Sequence, residues 1–527
     1  MALIPALILL LLWVLGVPVR YLAFFFVAAL VLDAVTSGRR VRVRGYSIAP
    51  LVLLIIGWSL TIFGVEVVRF LIADQGVDFA IFTQAMGEYA SRGEFRTSLV
   101  STDWVNFLTH HFSPLLIIPG AVAALGLNVQ IVAIAFHAAA LGVALWGIMR
   151  LGQQRQLSLP IIAISIGALI MHPGLRIPAL WEVHDEVYAA PFVIFGMLFL
   201  ERGRVAAALL CLALASLCKE TMLIVGAVSC LGAIVGDRFG RESAARYRAG
   251  QLYALGAAGG TFLVLFAMYS WVLPSWLFTP SFSAVDRVAS TTQLIDPSII
   301  AGKLWCVFTW FVFPAVLLAS VCRAGIALRL PRAGGAALAA LGYQLALLAI
   351  TNFDAMWNPY TYYQIMPVML IGVLFISTVP QVTRLRPTLV AAPLCLSFCF
   401  GAAHGPLGPL LQVHEINRSI AEVDQTLPKA SVVVASDVDT AWLVGSRQVV
   451  RAFHANRSAV RFDYIVIRKD RRESLSEHLR SASRPCFENQ MYKVRCARPS
   501  FAVDPERVQS FRTSRLRLAQ LPLPARS

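Results

Sequence analysis

The chain has 527 residues, of which 58% are hydrophobic and only 14% charged, and its mean hydropathy is +0.70. Soluble domains carry about 25% charged residues, so the composition excludes an ordinary soluble protein and implies an integral membrane protein. The formal net charge of +16 sits in short basic groups between apolar runs, which is a topology signal and not the surface of a nucleic-acid binder.

Apolar runs fall at about 2-17, 19-35, 48-72, 128-149, 158-171, 187-200, 204-218, 221-236, 251-273, 303-321, 333-350, 365-380 and 388-403. Each is long enough, or nearly so, to cross a hydrocarbon core of about 30 Å as a helix. Backbone groups find no water there, so the segments must be helical. The expectation is an all-α polytopic membrane protein of about 12-13 transmembrane helices, followed by a small C-terminal α/β extracytoplasmic domain.

Residues 1-37 read as an N-terminal transmembrane hairpin. They lack a basic n-region and an Ala-x-Ala-like site, so they are read as retained and not as a cleaved signal. Arg39, Arg40, Arg42 and Arg44 then precede the span 48-72. With Arg150/Arg155, Arg202/Arg204, Arg238 to Arg248, Arg323 to Arg332 and Arg384/Arg386, they fall on one face by alternation of spans, the cytoplasmic one.

The first sizeable polar loop, 73-127, opens with Asp78, Phe79, Phe82 and Gln84. Asp78 reads either as a general base for an acceptor hydroxyl or as the N-cap of a helix Phe79 to Ala90. His110 and His111, after Asp103 and Asn106, read as proton relays, phosphate ligands or polar anchors at the membrane boundary. Residues 113-127 are apolar but short, and Pro114, Pro119, Gly120 and Gly126 weaken them as a spanning helix. They are expected to lie along the outer surface as an interfacial helix, which keeps Arg150 and Arg155 inside.

The next external loop gathers Arg176, Trp181, Glu182, His184, Asp185 and Glu186. On a helical turn Glu182 and Glu186 would share a face. His184 with these carboxylates offers ligands for a divalent cation, or the loop is simply solvated and acidic. Lys219 and Glu220 interrupt an apolar stretch where two spans meet, and charge at that depth is a functional signal. Lys219 there suits a lipid phosphate, with Glu220 orienting it. His137, alone in a span, reads as a packed residue. Asn352, Asp354, Trp357, Tyr360, Tyr362, Tyr363 and Gln364 form a further cluster, read as an interfacial aromatic belt or as a platform for sugar rings.

After residue 404 the composition turns mixed and polar. His414 to Leu427 and Glu473 to Leu479 read as helices, and Ser431 to Ala435 and Tyr464 to Ile467 as buried strands. These define an extracytoplasmic domain over 404-498, and an Arg- and Pro-rich tail over 499-527 reads as disordered. Of nine cysteines, Cys486 and Cys496 flank a hairpin and are candidates for a disulfide. No P-loop or Gly-x-Gly-x-x-Gly after a strand is found, so no nucleotide cofactor is expected.

Several motifs recur together: Asp78-Phe79-x-x-Phe82-x-Gln84; Asn106 with His110-His111-Phe112-x-Pro114; His184-Asp185-Glu186 followed by Pro191; Lys219-Glu220; Tyr360-x-Tyr362 leading to Pro367; and the strands Val432 to Ser436 and Asp463 to Val466. In this order they resemble a prokaryotic family of polytopic membrane proteins known as a domain of unknown function. That family looks like a branch of the GT-C glycosyltransferases. The resemblance implies a GT-C-like transmembrane domain over 38-403 and a polyprenyl-phosphate-linked sugar donor. It also implies an essential acid in the first external loop, the position Asp78 matches, with Glu88, Glu94 or Asp103 as a second acid. The helix after His111 matches the juxtamembrane helices of that group.

The function expected is an inverting glycosyl transfer at the outer face of the cytoplasmic membrane, to a lipid or glycan acceptor. Asp78 is the catalytic residue. Gln84, His110, His111, Arg176, His184, Glu186, Lys219, Glu220, Tyr360 and Tyr362 are the substrate-binding set. A transporter or lipid flippase, and a non-enzymatic scaffold, are the rival readings.

Overall fold

The structure is a computed structural model that describes residues 41–42, 48–71, 75–99, 104–110, 112–157, 159–180, 183–239, 249–267, 303–304, 307, 331–350, 362–378, 384–385, 419, 422–423, 425–427, 431–435, 448–451, 462–468, 483–489 and 492–497. The N-terminal hairpin, the run 388-403, the helix Glu473 to Leu479 and the basic tail lie outside these residues. The chain is mostly helical, with a small C-terminal sheet.

It divides into two compact units. One comprises residues 1–61, 138–180 and 185–405, the other 62–137, 181–184 and 406–527. Two long helices run across the division: α1 (Ala49–Leu71) and, further on, Val129–Gln154. Among the described residues these two are long and apolar enough to cross a membrane.

In the second unit, α2 (Val77–Arg92) starts at Gly76 and stops at Gly93, whose φ of 72° closes the last turn by donating its N–H to Tyr89. A two-strand ladder of β1 (Arg96–Thr97) and β2 (Val105–Asn106) follows, then α3 (Phe107–His110). The segment expected as an interfacial helix folds as a 3-10 turn, Pro114–Leu116, continuing into α4 (Ile117–Ala123). Gly126, at φ 90°, ends it. Gly120 lets α4 approach α2, since a Cβ there would meet Met86 O at 3.3 Å and Tyr89 at 3.0 Å. Its other side exposes Ile118, and beyond the helix Leu125 and Leu127 are exposed as well.

The C-terminal sheet has five strands: β3 (Val432–Ala435), β4 (Gln448–Arg451), β5 (Tyr464–Arg468), β6 (Ser483–Glu488) and β7 (Tyr492–Ala497), in the order β4-β3-β5-β7-β6. The first three are parallel and the last two join antiparallel. β3 and β5 are the two strands expected from their β-branched runs. β4 was not anticipated, because Gln448 and Arg451 bracket only two apolar residues. Val434, Phe462 and Ile465 form the core, with Val432, Ile467 and Ala497 packed against it. Asp463 fixes the parallel register by accepting from the Val432 N–H at 2.8 Å. The hairpin β6–β7 carries a disulfide between Cys486 and Cys496, with Cα atoms 5.8 Å apart.

The first unit is a helical bundle. The long helix α5 (Val129–Gln154) feeds it, and α6 (Leu159–Met171), α7 (Pro173–Ala179), α8 (Asp185–Glu201), α9 (Val205–Ser216), α10 (Met222–Phe239), α11 (Ala249–Ala267), α12 (Arg332–Ile350) and α13 (Ile365–Thr378) complete it. At 1.5 Å per residue, the 13 residues of α6 and the 12 of α9 span only about 18–20 Å. The tightest crossing joins α10 to α12. Gly232 and Gly236 of α10, a Gly-x-x-x-Gly pair, face Gly335 of α12, and a Cβ on Gly335 would collide with the Gly232 carbonyl and lie 3.0 Å from Gly236 Cα. Only glycine allows two helix backbones to meet in this way. At the opposite end of α8, Glu201 accepts from Arg155 at 3.1 Å and from the Ala333 N–H at 3.0 Å, capping α12 from outside.

Candidate active site

Two groups of polar side chains stand out, one in each unit. In the second unit Asp78 occupies the first turn of α2. The N-cap is Gly76, with no side-chain capping bond, because the helix begins two residues earlier than expected. The alternative reading of Asp78 as the cap therefore does not hold. Its carboxylate is 26% exposed and lies 3.8 Å from Nε2 of the buried His184. That distance is an electrostatic contact and too long for a hydrogen bond, so the carboxylate keeps acceptor capacity. The positive end of α2 favours the anion there.

The aromatic members of the motif build the wall behind this pair. Phe82 meets the His184 ring edge-on at 5.3 Å and Phe107 at 5.7 Å, while Phe79 packs on Phe70 at 6.1 Å. The helical spacing of 79 and 82 points both rings inward, and both are buried.

Gln84 faces a different task. Its Oε1 accepts from Thr97 Oγ1 at 2.7 Å and from the Ser98 N–H at 2.9 Å, and its Nε2 donates to Ser98 Oγ at 3.1 Å. Ser98 Oγ in turn donates to the Val449 carbonyl at 2.9 Å and accepts from the Val449 N–H at 3.1 Å. All of these side chains are buried. Of the acids expected as a second carboxylate, Glu88 accepts from Arg96 at 2.8 Å and pairs with Arg92 at 3.6 Å. Glu94 pairs with Arg96 at 2.8 Å, and Arg96 lies 4.8 Å over the Trp104 ring. Both acids are thus neutralised by arginine. Asp103 lies outside the described residues.

In the first unit, Lys219 sits in the turn between α9 and α10. Its ammonium reaches Glu186 at 2.7 Å and Asp185 at 3.3 Å, both on the first turn of α8, and lies 5.4 Å over the Tyr363 ring. Lysine and both carboxylates are buried. Burial acts to lower the Lys219 pKa, but Asp185 and Glu186 outweigh it and hold the group well above the ordinary lysine range. Glu220, expected to orient Lys219, is half-buried in the same turn and adds to the effect of Asp185 and Glu186 on the lysine. Arg176 is half-buried on α7, whose N-cap is His172, accepting from the Gly174 N–H at 3.1 Å.

His110 ends α3, but its side chain, His111, Glu182, Tyr360 and the Tyr362 side chain lie outside the described residues. Among the described residues no group of three or more His, Cys, Asp or Glu side chains converges as metal ligands would. At the Asp185–Glu186 pair it is the Lys219 ammonium that supplies the positive charge.

Sequence reasoning missed Asp185 as the partner of Lys219, and Ser98 altogether. Asp185 and Lys219 were each visible as charges beside apolar runs, and such groups seek one another when removed from water. Ser98 gave no signal of this kind.

No family model matches the chain, and no curated protein matches it in sequence. Its fold is shared with ArnT from Cupriavidus metallidurans, solved bound to undecaprenyl phosphate. The two chains are 13% identical, with a TM-score of 0.51, and the match covers 85% of this chain and 98% of that one. The apo state of the same protein matches at 12% identity and a TM-score of 0.52, with the same coverage.

Proposed function

We propose that this protein is a multi-pass membrane glycosyltransferase of the GT-C kind. It moves a sugar from a polyprenyl-phosphate donor to a lipid or glycan acceptor at the outer face of the cytoplasmic membrane. The observation that carries the reading is Asp78: a partly exposed carboxylate on the first turn of α2, free of any capping role and backed by the buried His184, in a chain that shares the fold of ArnT, a GT-C glycosyltransferase. That ArnT was solved with undecaprenyl phosphate supports a polyprenyl-phosphate partner here.

Membrane insertion is supported by the outward apolar faces. Leu53, Leu54, Ile56 and Leu60 on α1, and Leu263, Val264 and Leu265 on α11, are exposed, as lipid-facing residues are and as soluble proteins rarely arrange them. The Cys486–Cys496 disulfide suits an oxidising compartment, which agrees with an extracytoplasmic sheet.

In the reaction, Asp78 takes the proton of the acceptor hydroxyl. The acceptor oxygen bonds to the anomeric carbon from the face opposite the phosphate. The anomeric carbon–oxygen bond breaks, and the polyprenyl phosphate leaves with the electron pair. His184 orients the Asp78 carboxylate. Charge gathering on the departing phosphate calls for preorganised cations, and Arg176, His110 and His111 are the candidates. Lys219 is a weaker one, because two carboxylates already share its ammonium. The donor brings its own activation, so no nucleotide is needed.

Purified protein in lipid vesicles, given radiolabelled polyprenyl-phosphate sugar and membrane acceptors, should form glycosylated product. Asp78→Asn should lower turnover by about 1000-fold, within the usual worth of a general base of about 100-fold to 10000-fold, with expression unchanged. Wild-type turnover in that variant would remove Asp78 from catalysis. Lipid translocation without product would favour the flippase reading instead.

A further inference from the structure

We propose that Gln84 and Ser98 are positioning residues, a buried polar latch through which the C-terminal sheet sets the placement of Asp78. The inference rests on the transferase reading above only for its catalytic consequence.

Gln84 lies on α2 less than two turns beyond Asp78, so the two move with one helix. Its amide holds the backbone and both hydroxyls of Thr97 and Ser98. Ser98 then treats Val449 as a neighbouring strand would, taking both its N–H and its C=O. Val449 belongs to β4, an edge of the sheet. The backbone of an extended residue presents both groups to one side, so a single hydroxyl closes the edge at that point. Residues 98 and 449 are 351 positions apart, which makes this a tie between the first polar loop and the C-terminal domain.

The chemistry of the latch argues for position over adhesion. An apolar contact would hold α2 to the loop equally well and tolerate sliding. A buried network in which each hydrogen bond is met has one register only, and an error of one residue leaves several polar groups unpaired. The Asp78 carboxylate, by contrast, is held among the described residues by a 3.8 Å contact with His184. Its placement therefore depends on where α2 is set. Catalysis by an oriented group is steep in distance, and a shift near 1 Å can cost about 100-fold.

The test uses the full-length protein in vesicles and compares Ser98→Ala, Ser98→Thr, Gln84→Leu and Asp78→Asn. Ser98→Ala and Gln84→Leu are expected to lower kcat by about 10-fold to 100-fold, with KM for the polyprenyl-phosphate sugar changed less than about 2-fold, while Ser98→Thr, which keeps the hydroxyl, restores the rate. Amide hydrogen exchange is read on the same samples. Exchange over Val77–Arg92 should quicken in Ser98→Ala and return in Ser98→Thr. A kcat per folded molecule equal to wild type, or exchange over α2 unmoved by Ser98→Ala, overturns the latch. If Asp78→Asn keeps full turnover, or no product forms from wild type, it is the transferase reading that fails. The exchange result still decides the latch in that case, because it needs no reaction. A variant that does not fold is replaced by Ser98→Cys, whose weaker donor should give an intermediate exchange rate, and a wild-type rate there also counts against the proposal.

Discussion

Lys219 shows how a charge is kept in this chain. One ammonium faces two carboxylates, and all three groups are buried. Removing a partner from such a cluster costs more than the cluster contributes, because the remaining charges have no water to turn to. Lys219→Met should therefore destabilise the protein by about 3–5 kcal/mol, read as a lower midpoint of unfolding in detergent. The triple change Lys219→Met, Asp185→Asn and Glu186→Gln should recover most of the loss, since neither carboxylate that pairs with the ammonium then stays charged. Equal midpoints for the single variant and wild type would mean that the carboxylates find other cations. The sign of the pH dependence follows from the same contacts. The folded pKa is raised, so the contribution is complete below the ordinary lysine value of about 10.4 and disappears only as pH climbs through the folded value. Neutral and mildly acidic buffers should leave it intact at the lysine.

At the scale of elements, hydropathy was a good guide to helices. The runs read at 48-72, 158-171, 204-218 and 333-350 became Ala49–Leu71, Leu159–Met171, Val205–Ser216 and Arg332–Ile350, because a continuous apolar run is a local property that a one-dimensional scan detects. What it missed has no local signature. β4 is four residues long and exists by pairing with β3. The Gln84–Ser98–Val449 chain joins single polar residues from three segments, and no periodicity announces it. Asp78 was misread as a possible cap because helix starts are the least certain feature of a sequence. In the candidate site the acid and the histidine were both legible as residue types, but their meeting was not. The glycines carry a further consequence. Gly335→Leu should force α10 and α12 apart and cost about 1–3 kcal/mol or more. Gly250→Ala, at a helical position where a Cβ meets nothing within 4 Å, should leave the unfolding midpoint unchanged or raise it. Similar midpoints for Gly335→Leu and Gly250→Ala would contradict the close crossing.

Across the whole molecule, the shared fold with ArnT extends over 85% of the chain at 13% identity. Little side-chain chemistry is carried across at that distance, so the polar contacts of this chain have to be argued from its own geometry. Sidedness is the property on which the transferase reading depends most, and the disulfide offers a handle on it. In intact cells, an impermeant reductant followed by an impermeant maleimide should label Cys486 and Cys496. Labelling that appears only after the cells are permeabilised would put the sheet in the cytosol and defeat the reading.

Where Gly232 and Gly335 touch, no rotamer stands between the two backbones. Packed bundles normally absorb small displacements by letting side chains flip, and that slack is missing at this joint. α10 and α12 must therefore travel as a single strut, and any displacement within the bundle has to bend at its other joints.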